Sequence, residues 1–163
     1  MKILIVYASK TGVTQDIVNK VKAQRTDVDV VNLYDKTRVD LNHYDFIVIG
    51  SGIRVGKALF TVRWFVRRHR KILNTKQVAF FVSGADTSVN VNDILKRSYP
   101  KMLFDKADFA IHCGGEFRMD KLNKLSKSII TAVAKQKAKE GHSIKVEVDQ
   151  EAVQKLIDNI LSL

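Results

Sequence analysis

One cysteine occurs in 163 residues, so no intrachain disulfide can form and stability has to come from packing. That composition suits a reducing cytoplasm, which is the expected location, with contact at the inner membrane surface left open. Cys113 closes the apolar run Phe109-Ala110-Ile111-His112-Cys113 and reads as a packing residue, since free cysteine behaves as a small hydrophobe. No stretch reaches the roughly 20 apolar residues of a membrane span. The run from Met1 to Tyr7 is too short for a signal peptide and lacks a small-residue cleavage site. No Pro/Gly/Ser-rich linker or internal repeat interrupts the chain, and one domain over 1–163 is expected. The histidines His43, His69, His112 and His142 are scattered without metal-ligand spacing, so no metal is expected. Acidic residues are also few. Lys and Arg number 28 against 17 Asp and Glu, a formal charge of +11, which attracts nucleic acid, anionic lipid or an acidic small molecule.

Hydrophobic residues make up 45% of the chain, enough for a substantial core. β-branched apolar runs at about 2–8, 28–33, 45–50, 77–83 and 107–113 alternate with helix-period segments at about 13–24, 58–72, 88–104, 120–140 and 149–162. Ile3-Leu4-Ile5-Val6 and Phe46-Ile47-Val48-Ile49 are apolar on successive residues, as strands covered on both faces require. The alternation predicts an α/β fold, a doubly wound five-stranded parallel sheet with helices on both faces. Ligands of such sheets bind outside the carboxyl ends of the strands.

Directly after the first strand comes Ser9-Lys10-Thr11-Gly12-Val13-Thr14, followed by a helical segment. Three hydroxyl side chains, a glycine and a helix amino terminus together form a cradle of donors for a dianionic phosphate. A Ser/Thr-rich turn that merely caps the helix is the simpler reading; the strand before and the helix after favour the phosphate. There is no G-x-G-x-x-G, and no Gly-Lys-Ser/Thr follows the glycine, so neither a dinucleotide fingerprint nor a Walker loop is present.

Residues 9–14 resemble the phosphate loop of the flavodoxin family, with its pattern Thr/Ser-x-Thr-Gly-x-Thr. The resemblance implies a flavodoxin-like fold and FMN, whose single terminal phosphate suits a short hydroxyl-rich loop better than a pyrophosphate would. Tyr44 to Gly56 resembles the third strand and second flavin loop of the family, which makes Ser51, Gly52, Ile53, Arg54, Val55 and Gly56 ring-binding candidates. The loop Ser83-Gly84-Ala85 and onward to Asn90 would face the pyrimidine edge, and Gly115 and Arg118 complete the candidate set. Ile49 through His69, with Cys113 to Arg118, is similar to the quinone-dependent protoporphyrinogen oxidase branch of flavodoxin-like proteins. A quinone or tetrapyrrole substrate is what that similarity implies.

Electron-transfer flavodoxins usually sandwich the ring between aromatic side chains, yet neither 51–56 nor 83–90 contains one. An uncovered ring face could receive a flat substrate, unless Phe60 or Phe117 folds over it. An arginine near the ring favours its negatively charged reduced form, and Arg54 and Arg118 stand after strands where they could act so; solvated surface arginines are the alternative. No side chain is assigned a catalytic proton transfer, because the flavin itself carries hydride.

Lys57, Arg63, Arg67, Arg68, Arg70 and Lys71 crowd a segment, 54–71, that holds no acidic residue. A second basic segment, about 118–139, repeats Leu122, Leu125, Ile129 and Val133 at helical spacing. Such helices are solvated faces over a core, or contacts to an anionic membrane or a protein partner. Trp64 reads as a core or partner contact. Aromatics do not interleave with the basic residues, so nucleic-acid binding is not expected. Three functions remain: an FMN-dependent oxidoreductase, a flavodoxin-type electron carrier serving protein partners, and a flavin-free basic interaction module on the same fold.

Overall fold

The computed structural model describes residues 1–163 apart from Thr37, Leu122 and 142–146. His142 and Leu122 therefore lie outside the described residues. The strands are β1 (Ile3–Ala8), β2 (Asp29–Asn32), β3 (Phe46–Arg54), β4 (Lys57–Ala58), β5 (Gln77–Ser83) and β6 (Ala110–His112). The α-helices are α1 (Val13–Gln24), α2 (Phe60–Arg68), α3 (Arg70–Leu73), α4 (Val91–Ser98), α5 (Lys101–Phe104), α6 (Lys124–Lys139) and α7 (Gln150–Leu161).

Five strands run parallel in the order β2-β1-β3-β5-β6, and β4 is an antiparallel addition to β3. The doubly wound sheet expected from the alternation is the fold observed. Consecutive side chains on a strand point to opposite faces, and here each face has its own core. Leu4, Val6 and Ala8 of β1 join Ile47, Ile49, Val78 and Phe80 on the side of α2 and α4. Ile3, Ile5 and Tyr7 join Phe46, Val48, Ala79 and Phe81 on the side of α1 and α7. Continuous apolar runs in β1, β3 and β5 are thus two alternating sets, both buried.

Several boundaries differ from expectation for local reasons. The segment 58–72 breaks at His69 into α2 and α3, yet Val62, Phe65, Val66 and Leu73 are all buried as its periodicity required. Pro100 splits 88–104 into α4 and α5, with the preceding Tyr99 extended at φ −128°, ψ 157°. A residue before proline is sterically pushed out of the helical region. Strand β6 is three residues long, shorter than 107–113. Cys113 is fully buried, and burial pushes its thiol up to about 12, which suits a packing role.

The largest difference follows β3. Instead of a loop from Gly50, the strand continues to Arg54 and turns back through Val55 and Gly56 into β4, pairing Arg54 with Lys57. Both turn residues have positive φ, 50° and 68°, as a two-residue primed hairpin requires. Glycine takes this conformation readily; valine, branched at Cβ, is strained there. The side chain is also 83% exposed, so packing does not repay the strain. The hairpin is pinned elsewhere: the Ala58 N–H donates to Ser98 Oγ at 2.9 Å, and the Leu59 N–H to Ser51 Oγ at 2.9 Å. Val55→Asn, whose side chain tolerates positive φ, should raise stability by about 1 kcal/mol. A urea midpoint that rises at unchanged slope is the expected result; a lower midpoint would show that Val55 is held by contacts rather than strained.

Candidate functional site

Chain connectivity sets the place of the site. From β1 the chain crosses to β2 on one side and then to β3 on the other, so the loops after β1 and β3 diverge and leave a crevice at the carboxyl edge. The loops after β5 and β6 close the same end. A cleft of about 250 Å³ opens here. Of the residues singled out in the sequence, Ser9, Lys10, Thr11, Val13, Thr14, Gly52, Ile53, Arg54, Val55, Gly56, Ser83, Gly84, Ala85, Gly115 and Arg118 line it, whereas Gly12 and Ser51 do not.

The loop after β1 is built by its own polar groups. The Gly12 N–H donates to Ser9 Oγ at 3.0 Å, and Gly12 adopts φ 90° at the start of α1 without any side chain capping the helix. Uncapped first-turn amides and the helix dipole both face the cleft end and favour an anion. Thr14, which lines the cleft, also has a structural task. It is 1% exposed and its hydroxyl shares a 2.8 Å hydrogen bond with Ser83 Oγ, so it ties the phosphate loop to the loop after β5. Ser51 is likewise structural: fully buried, it donates to Gly52 O at 2.7 Å and accepts from the Leu59 N–H.

The loop after β6 approaches the loop after β5 without side chains between them. A Cβ on Gly115 would stand 2.8 Å from the Gly84 nitrogen, so only glycine fits. The Gly84 N–H donates to Gly114 O at 2.8 Å, and Gly114 in turn donates its N–H to His112 Nδ1 at 3.0 Å.

Arg118 reaches the opposite end of the cleft from the one expected for ring contact. Its guanidinium donates to Thr11 O at 3.3 Å and pairs with Asp16 and Glu116 at 2.6 Å each. The charge therefore lies beside the phosphate loop. Arg54 remains near the ring-loop end and donates to Ser126 Oγ of α6.

Helix α6 is what the sequence did not place. Ser126, Ile129, Ile130 and Val133, spaced 3, 1 and 3 residues apart on one face, line the cleft across from the β3 and β5 loops. The apolar spacing is visible in the sequence, but it reads there as a face over the core or as a contact to a membrane or protein partner. In the fold only Ser126 of this helix is buried; Leu125 is 71% exposed. Polar ties hold the helix: Lys137 pairs with Asp86 and also donates to Ser88 Oγ at 3.1 Å. Burial raises the Asp86 carboxyl, but the hydrogen bonds from Lys137 and Ser88 outweigh it and leave the group below its ordinary value. Phe117 lines the cleft, whereas Phe60 is 71% exposed and lies outside it. Trp64 is no core residue either: it is 45% exposed beneath the Arg68 guanidinium, 5.2 Å from its ring centroid. Among the described residues no cluster of three or more His, Cys, Asp or Glu side chains is positioned to hold a metal, and no helix is long and apolar enough to cross a membrane.

Comparison with known proteins gives three findings. A family model described as a flavodoxin domain matches residues 4–143. Protoporphyrinogen IX dehydrogenase [quinone] of Escherichia coli strain K12 is 29% identical over 85 residues, 50% of this chain and 47% of that protein; the chain spans about half the length of the curated relatives it matches. Among solved structures, two-electron reduced Megasphaera elsdenii flavodoxin superposes with a TM-score of 0.52 at 27% identity, over 68% of this chain and 82% of that one. Trp repressor binding protein from Bacillus subtilis superposes at 0.55 with 15% identity, over 71% and 85%.

His112 makes the site's support sensitive to acid. Its Nδ1 accepts from Gly114, its Nε2 is buried without a hydrogen-bond partner, and burial holds its pKa below 6.5, with Asp86 and Asp149 acting in the opposite direction. The unfolded chain therefore binds the proton first. The stabilising contribution is complete above 6.5 and is lost as pH falls through the folded value. Urea midpoints should drop between about pH 7 and about pH 5. His112→Gln should flatten that slope in part, since His69, also lowered by burial and then by Arg68, keeps the remainder. Identical slopes in both proteins would remove His112 from the effect.

Proposed function

Because the chain belongs to the flavodoxin family, we propose that it binds FMN in the cleft and works as an FMN-dependent oxidoreductase, its specific reaction being protoporphyrinogen IX oxidation with a quinone as acceptor. The observation that carries the reading is the cleft itself, which joins an uncapped, hydroxyl-bearing helix start at one end to an apolar wall from α6 at the other. A phosphate-bearing flavin fits that gradient. Gly12, with its φ of 90°, starts α1 beside the cleft, and Ser9, Lys10 and Thr11 line the cleft next to it.

Bound FMN supplies hydride or single-electron transfer at its ring. The protein supplies position and environment. Backbone groups of 52–56 and 83–85 offer edge contacts, while Ile53, Ile129, Ile130 and Val133 exclude water from the space beside them. Arg54 adds a positive charge at that end, which favours reduced, more negative states of whatever sits there. Ring-stacking aromatics are missing from 51–56 and 83–90; Phe117 is the aromatic that lines the cleft, and the wall across from the β3 and β5 loops is aliphatic, which leaves one side for a flat reactant where a carrier would have a sandwich. The matching segment of the Escherichia coli dehydrogenase motivates the tetrapyrrole and quinone. An electron carrier serving protein partners is the second reading, favoured by the Megasphaera elsdenii flavodoxin likeness.

The deciding experiment is an anaerobic assay of purified, FMN-loaded protein with protoporphyrinogen and a quinone. Quinone-dependent formation of protoporphyrin supports the oxidase; a flavin reduced in two well-separated one-electron steps, with no turnover of either compound, supports the carrier. Thr11→Ala should weaken FMN binding by about 1–3 kcal/mol, the cost of leaving a phosphate oxygen unpaired. Titration of the apoprotein reads this directly, and unchanged affinity would take the Thr11 hydroxyl out of the site.

A further inference from the structure

The loop after β1 carries an arginine that no part of its own motif supplies. Arg118 arrives from the loop after β6, 107 residues away, and lies across Gly12: a Cβ at Gly12 would stand 2.9 Å from its Nη1 and 3.7 Å from Lys121 Nζ. Glycine at this position therefore does two things, taking the positive φ and leaving room for the guanidinium. Arg118 is also shared. Its Nε donates to Glu116 and its Nη2 to Asp16, each at 2.6 Å, and its Nη1 to Thr11 O at 3.3 Å. A guanidinium has five N–H donors, and these three contacts use three of them.

The two carboxylates are the puzzle. Asp16 stands in the first turn of α1, where an acidic side chain suits the helix dipole but opposes a dianion arriving at the same amides. Arg118 resolves the conflict by screening both carboxylates while keeping donors for the arriving group. We propose that Arg118 is a phosphate clamp, offsetting part of the negative charge of Asp16 and Glu116 and donating to the terminal phosphate of the flavin nucleotide. The clamp rests on the flavin reading above. It assigns Arg118 to the phosphate, in place of the ring-tuning role its position after a strand had suggested.

A purely structural Arg118, tying the loop after β6 to α1, predicts something different, and the experiment separates the two. Apoprotein is titrated with FMN and with riboflavin, which lacks the phosphate. Arg118→Gln should lower FMN affinity about tenfold or more, the scale of a lost charge-assisted hydrogen bond, while changing riboflavin affinity less than about twofold. Asp16→Asn should raise FMN affinity severalfold and leave riboflavin alone, because it releases Arg118 and removes a repelling charge. Inorganic phosphate is the second probe: it should raise the melting temperature of the unmodified apoprotein more than that of Arg118→Gln. Equal losses for both ligands in Arg118→Gln, no loss at all, or an Asp16→Asn protein that binds FMN more weakly would overturn the clamp. If the unmodified protein binds neither ligand, the flavin reading itself fails. The phosphate melting comparison then decides on the clamp alone, with equal shifts in both proteins counting against it.

Discussion

Everything at the site depends on β1 lying between β2 and β3, so that the chain leaves it first in one direction and then in the other. Its parallel register against β2 and β3, Val6 opposite Val31 on one side and Ile49 on the other, brings the loop after β1 to the point where the sheet's connections part. A helix starts there with its amides uncapped. Backbone donors and a helix dipole cost nothing to reorganise when an anion arrives, and they cannot be turned away because the buried strand behind them fixes their direction. The Thr14–Ser83 and Gly84–Gly114 hydrogen bonds then lock the neighbouring loops to this one. Moving β1 by a single residue would exchange its two buried faces and scatter all of these contacts.

Around that rigid base the second half of the cleft is held more loosely. Helix α6 contributes an apolar stripe to the cleft yet buries little of itself, and its attachment runs through Arg54–Ser126 and Lys137–Asp86. Partly exposed ion pairs stabilise only modestly. Elements fixed by few buried contacts sit at the low end of local stability, where ligand-binding parts of proteins are commonly found. The division of labour is physical: burial fixes the phosphate end, and adjustable polar ties hold the wall that a varied reactant would meet.

The sequence was legible where a local rule decided the outcome. Alternating apolar runs located the strands of the sheet, and Ser9 to Thr14 marked the loop after β1 because its hydroxyls, glycine and helix start are contiguous. The Val55–Gly56 hairpin was hidden because valine is a poor residue for positive φ, so nothing in its composition announces the turn. Pro100 did carry a signal for the break between α4 and α5, one that outweighed the apolar periodicity of 88–104. The role of α6 and the direction of Arg118 were beyond reach for another reason. Each depends on which loop end a distant segment packs against, and an apolar stripe or an arginine looks the same in sequence whether it faces a core, a cleft or water.

The central claim, that a flavin phosphate is held as a dianion among the donors at the start of α1, is tested most directly by phosphorus-31 NMR of the FMN complex across pH. A free phosphate monoester titrates near ~6. In the complex the resonance should stay at its dianion position through a window of about one unit on either side of that value, since fixed amides and a neighbouring guanidinium hold the charged form. A bound phosphate whose resonance follows the titration of free FMN would contradict the account, because it would place that group in solvent rather than in the loop.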